Sequence, residues 1–279
     1  MGRDQLLEQA LGLGEEGNWH DAAELLRDHL EDFAEDAAVH CWLGVAEQEL
    51  GLGGVAYERF KHALSLGSED PYVLATAGNG IAYFDDPDAE QTLRTASMLG
   101  PDIPVTRLMY GAYLAREGFT EKGIEELTAA RELDPDDPQI AYELGVGWAL
   151  AGDHDRATDA LADAVRLDPE DGWTRVVFGL ELLEADRFEE GAGELMSGAR
   201  IREDDVDAQL AAALAAAATG RDGTAYEMLE RARIRAEEPD LALLTSVEDR
   251  LDAGHDSARE LLEEDLAPDL LRTRLRERP

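Results

Sequence analysis

The residues best suited to chemistry in this chain are few. His40 and Cys41 are adjacent, a base beside a nucleophile. Neighbours on a helix point about 100° apart, and nothing nearby would orient the imidazole, so Cys41 is expected to be a packing residue. Gly12-Leu13-Gly14-Glu15-Glu16-Gly17 has the glycine spacing of a dinucleotide-binding turn. Such a turn follows a strand and presents a helix N-terminus to pyrophosphate, whereas here a helical pattern comes first and two glutamates would repel phosphate. Neither Lys61 nor Lys122 follows a glycine, so no phosphate-binding loop is present. His20, His29, His40, His62, His154 and His255 show no spacing that pairs them on one helix face, and Cys41 is the single cysteine. No zinc site or intrachain disulfide is expected. Asp85-Asp86-Pro87-Asp88 and Asp134-Pro135-Asp136-Asp137 lack the central glycine and distal glutamate of a calcium loop. The expectation is a chain without catalytic residues, metal or cofactor.

The elements behind these residues recur at a fixed period. Turn-type residues at Gly17, Gly51, Phe84, Gly118, Gly152, Asp186, Gly220 and Gly254 are spaced by 34, with one interval of 33. A small residue follows in phase at Ala22, Ala56, Ala89, Gly123, Ala157, Gly191 and Ala225. A bulky one follows at Leu26, Phe60, Leu93, Leu127, Leu161, Leu195 and Leu229. Seven positions before each turn stands another small residue: Ala10, Gly44, Ala77, Gly111, Gly145, Gly179 and Ala213. Spacings of three, four and seven mark amphipathic helices, so each period is an antiparallel helix hairpin whose small residues let two backbones approach.

The stretch Tyr142-Glu143-Leu144-Gly145, Trp148, Gly152-Asp153, Ala157, Leu161, Ala164 and Leu167-Asp168-Pro169 resembles a tetratricopeptide repeat with nearly every signature position filled. The resemblance implies an all-α, right-handed α-solenoid, with units at 3–36, 37–69, 70–103, 104–137, 138–171, 172–205 and 206–239. Departures are Phe84-Asp85 in place of a turn glycine and the missing closing Asp-Pro of the last two units. Residues 240–266 are expected to form a capping helix hairpin, with Ser257 to Glu260 as a capping box. The basic tail 267–279 follows, in which Pro268 would start a short helix. The tail carries Arg272, Arg274, Arg276 and Arg278 against Asp269 and Glu277, with Leu270, Leu271 and Leu275 as an apolar stripe. It is expected to dock on its own molecule or a neighbour's, by leucines more than arginines, either capping the final hairpin or entering the groove as an internal ligand, or else to fray as termini do.

In the tetratricopeptide family the first helix of each unit lines a concave face that binds a peptide or helix. Carried over by phase, that face holds Leu74 and Ile81; Leu108, Met109 and Ala112; Tyr142 and Val146; and Trp173, Val176, Val177, Leu180 and Leu183. An apolar row in so charged a chain points to an interaction site, although repeat packing would bury part of it. Family members that clamp a terminal carboxylate use basic and amide residues where this chain has Leu7, Leu11, Cys41, Val45, Leu74 and Gly78, so that ligand class is excluded. The resemblance therefore implies a scaffold or adaptor for a partner helix or extended peptide, or else a regulatory or chaperone-like subunit.

Charge sharpens the exclusions. There are 63 acidic against 25 basic residues in 279, a formal net charge of −38. Nucleic acid and anionic membranes are bound by clustered cations, so both are excluded as partners. With no apolar run of spanning length and no basic-apolar leader, a cytoplasmic location is expected. Lys61 and Lys122 are the only lysines, and this composition matches either extreme halophiles or a GC-rich genome. On the halophilic reading the thermal midpoint rises steeply from low salt to about 1 M KCl, where screening shrinks to about 3 Å. A midpoint unchanged across that range, measured by circular dichroism, contradicts it.

Overall fold

The computed structural model describes residues 1–277, and among these there are helices and no strands. The helices are α1 (Arg3–Glu15), α2 (Trp19–Asp28), α3 (Ala37–Glu49), α4 (Gly53–Ser65), α5 (Pro71–Ala82), α6 (Ala89–Leu99), α7 (Pro104–Arg116) and α8 (Thr120–Leu133). They continue as α9 (Pro138–Leu150), α10 (His154–Leu167), α11 (Gly172–Glu184), α12 (Phe188–Ile201), α13 (Val206–Ala218), α14 (Asp222–Arg235), α15 (Leu241–Ala253), α16 (His255–Leu261) and α17 (Ala267–Arg276). Within each of the chain's two units, consecutive helices pair as hairpins that stack in sequence, the arrangement of an α-solenoid. The chain forms two compact units, one of residues 1–114 with 125–133, the other of residues 115–124 with those from 134 onward.

Starts and stops follow from local chemistry. Asp36, Asp70, Asp137, Asp171 and Asp205 each accept backbone N–H groups at the start of a first helix, as Asp137 does from Gln139 and Ile140. Each such cap is worth about 1 kcal/mol. Within the hairpins, the glycine column meets the bulky column. A Cβ on Gly44 would lie 2.8 Å from the Phe60 ring, on Gly145 2.6 Å from Leu161, and on Gly179 2.9 Å from Leu195. The absent side chain is what lets the second helix seat its large residue against the first.

The third hairpin corrects the register read from the sequence. Its left-handed turn residue is Asp85 (φ 53°), not Phe84, matching Asp186 (φ 58°) and the turn glycines. The crossing residue is accordingly Gly78, where a Cβ would meet Leu93 at 3.0 Å, and not Ala77. The missing residue of the 33-residue interval thus falls in the connection Asp86-Pro87-Asp88, ahead of α6.

The C-terminal segment also differs from expectation. Ser257 and Glu260 form no capping box; α16 starts after Gly254, and both side chains accept from Arg250 of α15 (3.3 and 2.8 Å). Residues 262–266 then continue as a π-helical turn into α17, so no break separates the hairpin from the tail. Pro268 has no N–H to bond back, and the widened turn just before it accommodates that loss while re-aiming the helix. Arg278 lies outside the described residues. Among the described residues, no helix is long and apolar enough to cross a membrane.

Asp186 is exposed and left-handed at a turn position that every hairpin but its own and the third fills with glycine. Relief of left-handed strain, less the entropy of a freer unfolded chain, should make Asp186→Gly more stable by about 0.5–1 kcal/mol. Urea unfolding reads this, and a destabilised variant would refute the strain argument.

Candidate functional site

In the first unit, the one-residue slip in α5 rotates its positions by about 100°. Leu74 therefore packs toward the second helices, beside Lys61 and Leu64 of α4 and Gln91 and Thr92 of α6. Ile81 is fully buried with Phe60 and Ala89. Neither belongs to the first-helix face assigned from the sequence. Leu108 and Ala112 on α7 are buried, while Met109 and, on α3, Val45 are half-buried. Cys41 is buried among α3–α5, its thiol against the Val73 carbonyl at 3.8 Å, and burial first of all pushes its pKa up to about 12. A thiol so protonated is no nucleophile at neutral pH.

In the second unit the expected row comes together, and it is covered. Tyr142 and Val146 of α9, and Val176, Val177, Leu180 and Leu183 of α11, share one apolar cluster with Leu266, Leu270, Leu271 and Leu275. Trp173 packs at its margin. The covering element is the chain's own C-terminal helix: α16 and the π-turn lie on α13, and α17 crosses α11 and reaches α9. Val176 and Leu180 are 2% and 0% exposed, and Val176 also abuts the Gly198 position of α12. They are anchors of the floor, not side chains held open to solvent as expected of a vacant concave face.

Polar contacts fix α17 in place, and the sequence pattern did not assign them. Arg274, buried on α17, donates from Nη2 to both carboxylate oxygens of Asp205 (2.9 and 3.0 Å). Its guanidinium carbon stands 4.4 Å from the centre of the Trp173 ring. Arg202 lies 5.4 Å from the same ring and donates to Asp205 at 3.1 Å. The indole N–H of Trp173 donates to the Tyr142 hydroxyl at 2.8 Å, holding the ring flat beneath the cation. Asp207 is 3.9 Å from Arg274. At the far end, Arg116 pairs in two places with buried Glu143 (2.6 and 3.0 Å) and donates to the Glu277 carbonyl at 3.2 Å. The signal for Asp205 was its place in a column of helix-starting aspartates; nothing marked Arg116.

The remaining polar motifs are structural. Asp86 is buried and accepts from the Tyr57 hydroxyl at 2.7 Å, with Lys61 at 3.0 Å. Asp134 and Asp137 accept local backbone N–H groups. His20, Asp21 and Glu24 bring possible ligand atoms within 4.8 Å of one another on α2, all exposed. Pairing histidines only with each other overlooks that i, i+4 combination.

A tetratricopeptide repeat family model matches residues 110–172. The structure resembles that of the APC/C hetero-tetramer Cut9-Hcn1 (TM-score 0.73, 18% identity), covering 90% of this chain and 49% of that one. The chain thus spans about half the length of that relative. It also resembles TTC0263 of Thermus thermophilus (TM-score 0.55, 23% identity), over 65% of this chain and 100% of that chain. A third is pilF of Pseudomonas aeruginosa (TM-score 0.55, 21% identity), over 71% and 91% respectively. At these identities the likeness is one of fold, that of tetratricopeptide solenoids. No curated protein matches in sequence.

The surroundings of Arg274 hold more acid than it can neutralise. Partial burial holds the Asp207 carboxyl above its ordinary range; Arg274 opposes this, and Asp205, Asp240 and Glu277 reinforce it. A raised carboxyl pKa means stability present at low pH and lost as pH rises through the folded value. Asp207→Asn should therefore raise the melting midpoint at neutral pH, with the gain vanishing near pH 3–4, the ordinary range of about 3.9. A lower midpoint at neutral pH contradicts this.

Proposed function

We propose that this protein is a non-catalytic scaffold whose first-helix face binds a helix or extended peptide of a partner protein. One observation carries the reading: in the second unit an amphipathic helix, α17, lies across the first helices α11 and α9, in one apolar cluster with Val176 and Leu180. This is the helix-in-groove mode, in which spaced apolar anchors supply affinity and a few polar contacts supply register. The buried thiol of Cys41 and the local pairing of the acidic loops support a role without chemistry. In the first unit, half-buried Val45 and Met109 offer apolar surface of the same kind.

A photo-crosslinking amino acid at Val45 or Met109, activated in native lysate, should give protein adducts. The same residue at exposed Leu133 on α8 should not. Adducts to RNA, or equal labelling at all three positions, would overturn the scaffold reading.

A further inference from the structure

The contacts that seat α17 define more than an apolar groove. Leu270, Leu271, Arg274 and Leu275 form one stripe, with the arginine one turn beyond the leucine pair. The leucines meet the α9–α11–α13 surface, and the arginine enters a recess made by the Trp173 ring, the Asp205 carboxylate and Asp207. Three features make this recess a reader of arginine. Asp205 presents both oxygens to one guanidinium nitrogen, Trp173 presents its face, and its ring is held by the Tyr142 hydroxyl. Lysine, a point charge without a plane, would forgo the stacking. The resident arginine also leaves the recess incompletely used, because its buried Nε has no acceptor within the protein. Arg202 of the solenoid shares the Asp205 carboxylate with Arg274, and Asp207 and Asp240 add further acid beside the recess.

Resting on the scaffold reading, we propose that this groove recognises a partner helix carrying a leucine pair followed one turn later by arginine, and that α17 is a tethered copy of that ligand. The chain's own helix is then a competitor with the advantage of high local concentration. A partner gains the site by matching the same anchors, while α17 swings out at the π-turn of residues 262–266.

The test uses the full chain and a labelled synthetic peptide of residues 262–277. In one variant, Leu271→Asp with Leu275→Asp and Arg274→Ala, α17 is released, and hydrogen exchange over residues 267–276 reports that release. A milder variant, Arg274→Ala alone, guards against loss of folding in the first. Fluorescence anisotropy should show the peptide binding both variants at least tenfold more tightly than it binds the unaltered chain. The peptide carrying Arg274→Ala should bind at least tenfold more weakly than its parent, and Arg274→Lys should also lose affinity. Equal binding of all three peptides overturns arginine recognition and leaves the apolar groove standing. No binding of any peptide, with α17 shown to be released, overturns the groove reading as well. A two-chain species in sedimentation of the unaltered protein, abolished by Arg274→Ala, would assign the groove to a second copy's helix and overturn the partner proposed here.

Discussion

The closest constraint on this molecule is the approach of two helix backbones inside each hairpin. At Gly44, Gly78, Gly145 and Gly179 the space of a side chain is taken by Phe60, Leu93, Leu161 or Leu195 from the neighbouring helix. Interiors pack at crystal-like density, so a single added carbon must displace a large side chain or spread the pair. Everything else is indexed to these contacts. They set which stripe of each first helix is buried in the hairpin, and hence which stripe is left over. In the second unit the leftover stripe is apolar enough to need a cover, and the chain supplies it.

That cover depends on a local irregularity. α16 begins as the second helix of a terminal hairpin packed on α15 and α13. A regular helix would continue along that direction. The π-turn at 262–266, placed before Pro268, bends it so that α17 lies across α11 and α9. A proline that the sequence suggests as a fresh start is instead accommodated within one bent helix.

Periodicity made the fold legible because the same physical demand recurs every 34 residues. It failed at Asp85, where a polar residue in left-handed geometry takes the place of glycine and an aromatic neighbour drew the register one place early. Because one residue turns a helix by about 100°, that slip moved Leu74 and Ile81 from the hairpin interior to the groove. The groove row in α9 and α11 was legible in composition, but its covering was not. Whether a row of Tyr142, Val176 and Leu180 faces water or another helix depends on a segment about one hundred residues away, and periodicity is blind to that. The tail's leucine stripe and positive charge pointed to docking; of the residues that receive it, Asp205 carried only the pattern of a helix-starting aspartate, and Arg116 carried none.

The arginines of the tail are not equivalent, and burial separates them. Arg272 and its partner Asp269 are 63% and 75% exposed, a surface pair of the kind that contributes little. Arg274 and Asp205 are 10% and 7% exposed, with an aromatic face on the remaining side. Salt screens the first kind of pair efficiently and the second poorly, while it strengthens the burial of Leu270, Leu271 and Leu275. Leucine and arginine anchors therefore act together across ionic strengths. The acidic exterior and the docked helix thus answer to salt differently: dense salt relieves repulsion over the surface, whereas at the seat of α17 it strengthens the leucine burial and leaves the buried ion pair largely unscreened.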